Sequence, residues 1–290
     1  MRKVVEASVG KLEPARFEDR YVEVGGLRLH YLDYGTAGKP LILCVHGGAA
    51  QGHWFDFFAP DFRSDYHVIA LDLPGHGDSD WLEPDQYSYF RYAATVDAFV
   101  RALDLRDFVY FGHSMGGLIG IVYVAEYPER VRALVVADST LHLQLDRIGV
   151  LRDVGSKKGS TFATKAELES RFRLRPAGPA TPEVIRHLAQ FSGRQLEDGS
   201  WTNKFDRHTY STRQEMDGFP YFPRIAAPTF LVKAELSPRL VPEVVDRVRV
   251  LKPDIQFAEV PNADHHLFLD NPRGFEKVMR AFLQSLGDRC

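Results

Sequence analysis

Six stretches of the chain are apolar almost without interruption and close on a turn signal or a polar residue: LILCVHG (41–47), HVIALDLPG (67–75), FVYFGHS (108–114), RALVVAD (132–138), APTFLVK (227–233) and IQFAEVP (255–261). Runs of this kind suit strands buried on both faces, as in a parallel sheet. Residues 21–35, YVEVGGLRLHYLDYG, instead alternate polar and apolar positions about Gly25-Gly26 and predict a β-hairpin. Between the strands the period lengthens. A helix over Phe90–Leu105 gathers Tyr92, Val96, Phe99, Val100 and Leu103 on one face. A second, Met115–Tyr127, follows a strand directly and stops before Pro128. A third, Gly274–Leu286, begins just after Asn271-Pro272, a start signal. Strands alternating with helices predict an α/β fold with a doubly wound, mostly parallel sheet.

Residues 139–221 break that rhythm. They hold no convincing buried strand, and carry TKAELESRFRLR (164–175), TPEVIRHLAQFSG (181–193) and then a polar, aromatic stretch through Trp201, Phe205 and Tyr210. The expected organisation is a core over 1–138 and 222–290, and a mostly helical insertion over 139–221. An insertion at this point is placed to cap the carboxyl ends of the strands, where open α/β sheets bind ligands.

Composition narrows the function classes. At 290 residues the chain suits one α/β domain with an insertion, and 44% apolar with 26% charged residues is ordinary for a soluble globular protein. A net charge of −3 favours neither nucleic acid nor an anionic membrane as partner. No apolar run reaches the roughly 18 residues that span a bilayer. Met1–Arg20 mixes Lys3, Glu6, Lys11, Glu13 and Arg16 and lacks the apolar stretch of a secretory signal. Two cysteines, Cys44 in an apolar run and Cys290 at the end, do not suggest a disulfide, so a reducing cytoplasm is the expected location.

The chemistry concentrates at Gly112-His113-Ser114-Met115-Gly116, which ends a strand and opens a helix. A tight strand-to-helix turn lifts a serine Oγ clear of the sheet edge. Glycines two residues to either side let strand and helix approach where any Cβ would clash. The helix start adds free N–H groups for a developing oxyanion, that of Met115 first. The sequence here resembles the α/β-hydrolase family over nearly its whole length. The resemblance rests on this elbow, on Val45-His46-Gly47-Gly48, on Asp72-Leu73-Pro74-Gly75-His76-Gly77-Asp78-Ser79 and on Asn262-Ala263-Asp264-His265, in that family's order.

The resemblance implies that Gly48 supplies the second oxyanion N–H, that His46 and Gly75–Ser79 brace loops, and that His265 is the general base, with His266 pointing elsewhere. A metal at Asp264-His265-His266 is not expected, because neighbouring loop histidines seldom converge on one ion. The triad acid departs from the family pattern. The usual position, three residues beyond Ala234, is Ser237. Two carboxylates compete in its place: Glu235 in the same loop, and Asp138, 138 − 114 = 24 residues after the serine at the end of the RALVVAD strand. Part of the family, including some haloalkane dehalogenases and lactone hydrolases, places its acid there, and Asp138 is the preferred candidate.

These residues predict acyl transfer to water without cofactor or metal, acting on a small-molecule ester or lactone. Trp54, Phe55, Phe57, Phe58, Trp201, Phe205, Phe219, Tyr221 and Phe222 suggest an apolar or aromatic substrate portion. The runner-up is carbon–carbon hydrolysis of a ring-cleavage diketone, although relatives of that kind often carry Trp where His266 stands. A ligand receptor and a cofactor-free oxygenase on the same fold are the alternatives outside hydrolysis. Oligomeric state has no sequence signal.

Overall fold

In the computed structural model, which describes residues 14–287, the apolar runs lie side by side in an eight-stranded sheet. Cys290 and residues 1–13 of the amino-terminal segment lie outside the described residues. Among the described residues, no helix is long and apolar enough to cross a membrane. The strands are β1 (Glu18–Val24), β2 (Leu27–Asp33), β3 (Leu41–Val45), β4 (His67–Leu71), β5 (Phe108–His113), β6 (Val131–Ala137), β7 (Thr229–Ala234) and β8 (Gln256–Val260). Their order is β1-β2-β4-β3-β5-β6-β7-β8. β1 and β2 form the antiparallel hairpin, and β2 joins β4 antiparallel; every later pairing is parallel. Gly25 and Gly26, with φ of 56° and 79°, make the two-residue turn that matches strand twist.

Both faces of the parallel strands are covered, which is why their sequences are apolar at consecutive positions. Leu41, Leu43, Val45, Tyr110, Leu134, Val136 and Leu231 face a layer built on the helices Tyr89–Ala102 and Met115–Glu126. The alternate residues Ile42, Cys44, Val109, Phe111, Val135 and Val232 face the opposite layer, where Phe55, Phe58, Phe268 and Phe275 cluster with the helix Pro272–Ser285. Burying one such side chain contributes roughly 1.5–3 kcal/mol. The observed helix Tyr89–Ala102 starts at Ser88, whose Oγ accepts the Arg91 N–H at 3.1 Å.

The insertion differs in detail from the sequence expectation. It contains the helices Lys165–Arg171 and Pro182–Phe191, and also Leu145–Ser156, which the pattern did not single out. It also holds a small antiparallel sheet of Thr161–Phe162, Gly193–Gln195 and Trp201–Asn203. Strands of two or three residues are too short to leave a periodic signal. The helix Pro242–Leu251, between β7 and β8, was likewise not singled out.

Residues of the segment 139–221 bond to loops at the carboxyl edge of the sheet. His187 Nε2 meets buried Asp56 at 2.6 Å, Gln51 Nε2 donates to the Phe191 carbonyl at 2.7 Å, and Tyr87 Oη donates to Asp206 at 2.7 Å. Because β3 to β8 run parallel, the segments that follow them all emerge at this one edge.

Candidate active site

Ser114 sits between β5 and the helix Met115–Glu126 with φ 53° and ψ −116°, a conformation that costs a non-glycine residue about 1–3 kcal/mol. The surrounding backbone holds it there. Its N–H donates to the Ala137 carbonyl at 2.9 Å, and its own carbonyl accepts from Gly117 N–H at 3.0 Å and from Ser139 Oγ at 2.7 Å. The flanking glycines are required by space. A Cβ on Gly112 would lie 2.4 Å from the Gly116 carbonyl oxygen, and one on Gly116 would lie 2.3 Å from that of Val45. Met115 begins the helix, so its N–H has no acceptor within it.

The structure brings His265 and Asp138 together. Asp138 is fully buried at the end of β6, and its Oδ2 accepts from His265 Nδ1 at 2.8 Å and from Ser237 Oγ at 2.6 Å. Oδ1 accepts the Ala234 N–H at 3.3 Å, and Arg239 Nη1 lies 3.7 Å from Oδ2. Ser237, at the position where the family usually carries its acid, thus donates to the acid of the neighbouring strand. Glu235 is exposed and engaged elsewhere, accepting the Asn262 N–H at 2.7 Å. Burial pushes the Asp138 carboxyl up, while the Ser237 and Ala234 bonds pull it back. Burial holds the His265 imidazole well below its ordinary range, reinforced by the positive charge of Arg239. A neutral ring donating from Nδ1 to a carboxylate leaves the Nε2 lone pair as the basic site.

The loop after β3 is braced as the sequence suggested. His46 bonds through Nδ1 to the Gly47 carbonyl at 2.7 Å, and its Nε2 accepts the Leu73 N–H at 3.0 Å. Asp72 ties the Gly75–Ser79 turn to the loop after β3, accepting from Asp78 N–H at 2.9 Å in the turn and from Gly52 N–H at 2.6 Å in the loop. Over Gly48 lies Tyr210 of the cap; a Cβ there would stand 2.7 Å from its hydroxyl.

His266 makes no hydrogen bond to Asp138; it is buried, with Trp54 edge-on at 4.8 Å, and burial pushes its pKa down to about 4. A third imidazole that the sequence reading did not bring in, His113, donates from Nε2 to the His265 carbonyl at 2.8 Å. Ring nitrogens of His113, His265 and His266 lie within 4.8 Å of one another, so three imidazoles could approach one ion. A metal there would take the His265 lone pair, so ligation and general-base work exclude each other.

The aromatic candidates divide. Phe55, Phe58, Phe219 and Phe222 are core residues, and Phe57 packs against His187. Trp201 lies on the small cap sheet near Lys165, and Tyr221 faces Arg224. Trp54 reaches His266, and Phe205 packs edge-on against Tyr210 at 4.8 Å. Residues absent from the sequence-level site are Ser139, Tyr210, Arg213 and Arg239. The distance of Ser237 from the elbow residues along the chain gave no sign of its bond to Asp138, although its place in the family pattern marked it as an anomaly.

A family model described as the alpha/beta hydrolase fold matches residues 40–272. The 2-(acetamidomethylene)succinate hydrolase of Mesorhizobium japonicum is 26% identical over 276 residues, 93% of this chain and 96% of that protein. The N-formylmaleamate deformylase of Pseudomonas putida is 28% identical over 267 residues, 90% and 95% of the two chains. A crystal structure of E-2-(acetamidomethylene)succinate hydrolase superposes with a TM-score of 0.82 at 24% identity, covering 93% of this chain and 100% of the other.

Proposed function

The chain belongs to the alpha/beta hydrolase fold family, and from that premise we propose that it is a serine hydrolase cleaving a small ester or lactone through an acyl-enzyme on Ser114. The observation that carries the reading is the 2.8 Å bond from His265 to the buried Asp138, at the sheet edge where Ser114 is held in its strained turn.

The cycle follows from these groups. His265 Nε2 takes the Ser114 hydroxyl proton as Oγ forms a bond to the substrate carbonyl carbon, and the carbonyl electron pair moves to oxygen. The N–H groups of Gly48 and Met115 receive that oxyanion; each such donor contributes about 2.7–4 kcal/mol of transition-state stabilisation. Collapse breaks the bond to the leaving group, which departs with the proton held by His265. A water then attacks the acyl-enzyme, giving its proton to His265, and the acid leaves as Ser114 recovers its hydrogen. Asp138 keeps the tautomer correct and offsets the charge of the transient imidazolium. The second reading, cleavage of a carbon–nitrogen acyl bond by the same cycle, is favoured by the deformylase name of one relative. Carbon–carbon hydrolysis of a diketone is the runner-up from the sequence.

A panel of p-nitrophenyl esters, lactones, an N-formyl amide and a ring-cleavage diketone tests this against wild type and Ser114→Ala. The expected result is turnover of esters or lactones by wild type and loss of at least about a thousandfold in kcat in the variant. Equal turnover by the two proteins would overturn the nucleophile assignment. Turnover of the amide or diketone alone would replace the ester reading.

A further inference from the structure

A buried guanidinium without an anionic partner stands against the oxyanion loop. Arg213, in the segment 139–221, is 5% exposed, and among the described residues no carboxylate is ion-paired with it; the groups that face it are the phenols of Tyr89, which also hydrogen-bonds to it, Tyr92 and Tyr210. Its Nη1 donates to the Met115 sulfur at 3.0 Å, a weak acceptor, and its Nε has no hydrogen-bond partner among the described residues. The guanidinium lies 5.4 Å and 5.5 Å from the ring centres of Tyr89 and Tyr210. Burying an arginine is costly unless an anion compensates it, and sulfur and ring faces do so only in part.

Its position matters as much as its burial. Met115 and Gly48 are the two proposed oxyanion residues. Arg213 touches the side chain of the first, and Tyr210, which packs near Arg213, covers the second. Two further guanidiniums act on the same space. Arg239 borders Asp138, and Arg147 acts electrostatically on His265, Arg239 and Tyr210. Of the carboxylates that act on these guanidiniums, Asp138 is committed to His265 and Ser237, and Asp264 accepts the His265 N–H at 2.7 Å.

We infer that the substrate carries a carboxylate, held by Arg213 beside the oxyanion loop. The inference takes the reacting atoms from the acyl-transfer reading above and adds the charge of the substrate. A guanidinium offers five donors in a planar fork that fits a carboxylate in two-point fashion. Arg213 therefore selects anionic over neutral substrates of the same shape, and Arg147 and Arg239 strengthen the attraction.

Matched ester pairs read this out as a ratio. One pair places the charge on the acyl side: mono-p-nitrophenyl glutarate against p-nitrophenyl pentanoate. The other places it on the leaving group: 4-carboxyphenyl butyrate against phenyl butyrate. Each kcat/KM is divided by that ester's rate with hydroxide ion. In wild type, at least one pair should favour the anion by about tenfold to a hundredfold, the range expected for hydrogen bonds to a charged group. In Arg213→Gln that ratio should fall toward one, and Arg213→Lys should keep part of it. Both substrates of a pair meet the same protein sample, so partial misfolding does not move the ratio. Ratios near one in wild type, or a ratio unchanged in Arg213→Gln, overturn the inference while leaving the hydrolase reading intact. If wild type turns over none of these esters, calorimetric titration with glutarate decides the inference alone. Binding weakened about tenfold or more in Arg213→Gln upholds it; no difference from wild type refutes it.

Discussion

Replacing Asp138 with asparagine keeps the size of the side chain and removes its charge, and the hydrogen bonds around it fix the consequence. Oδ2 accepts from both His265 Nδ1 and Ser237 Oγ, while Oδ1 accepts the Ala234 N–H. An amide has one oxygen and one NH2 for these two positions. If the oxygen takes the Oδ2 position, the NH2 meets the Ala234 N–H, donor against donor. If the NH2 takes the Oδ2 position, Ser237 can turn to accept, but His265 must carry its proton on Nε2. That tautomer cannot accept the proton of Ser114. In either arrangement the imidazolium formed during turnover loses the buried negative charge 2.8 Å away. The expected loss in kcat is about ten-thousandfold, or roughly 5.4 kcal/mol of transition-state stabilisation. KM should change far less, because the acid does not touch substrate. The assay is steady-state hydrolysis of the best p-nitrophenyl ester, with thermal unfolding as a check on the fold and Glu235→Gln as the parallel variant. Glu235 is exposed and bonds a loop N–H, so its variant should stay within about twofold of wild type, as a surface change does. Near-normal turnover by Asp138→Asn together with a loss of several orders of magnitude in Glu235→Gln would refute the reasoning.

Three further outcomes follow from the same geometry. His265 must be neutral to act as base and is held well below its ordinary range by burial and then by Arg239, so activity should be lost as pH falls only at values below about 6.5. Removing the cation in Arg239→Gln should move that acid limb to higher pH in a kcat/KM profile; an unmoved limb, or one shifted to lower pH, contradicts the assignment. Gly116→Ala puts a Cβ 2.3 Å from the Val45 carbonyl and 2.6 Å from that of His46, so denaturant unfolding should show a loss of about 1–3 kcal/mol or more, and a variant as stable as wild type would show that the elbow can relax. His46, His76, His113, His265 and His266 are all held down by burial, so the unfolded chain binds more protons than the folded one as pH drops below about 6.5. His30, raised by its bonds to Asp72 against the effect of burial, Asp270, raised by burial to about 6, and Asp61 and Asp138, also raised by burial, oppose the five. The melting temperature should therefore fall from pH 7 to pH 5 by calorimetry, and a flat or rising trend would show that the opposing groups win.

The sequence by itself determined the elements whose signals are local. Consecutive apolar residues wrote β3, β5 and β6 as strands covered on both faces, and Gly25-Gly26 wrote the hairpin turn. Gly112 and Gly116 marked the elbow because the absence of a side chain at a close backbone approach is visible in one dimension. Ser114 could be singled out for the same reason, and His265 by the family resemblance of its motif after the last strand. The tertiary structure decided whatever depended on residues meeting across the sheet. Asp138 and Glu235 competed as carboxylates at strand ends, with Asp138 preferred on the resemblance alone; the parallel pairing of β6 with β7 brings Ser237 and Ala234 onto Asp138 and leaves Glu235 in solvent. The short strands of the cap escaped notice because two or three residues carry no period. Arg213 escaped it because a single arginine in a polar stretch reads as solvated. Its burial is set in part by Met115 and Tyr89, which lie on two segments far from it along the chain and meet it only in the folded structure.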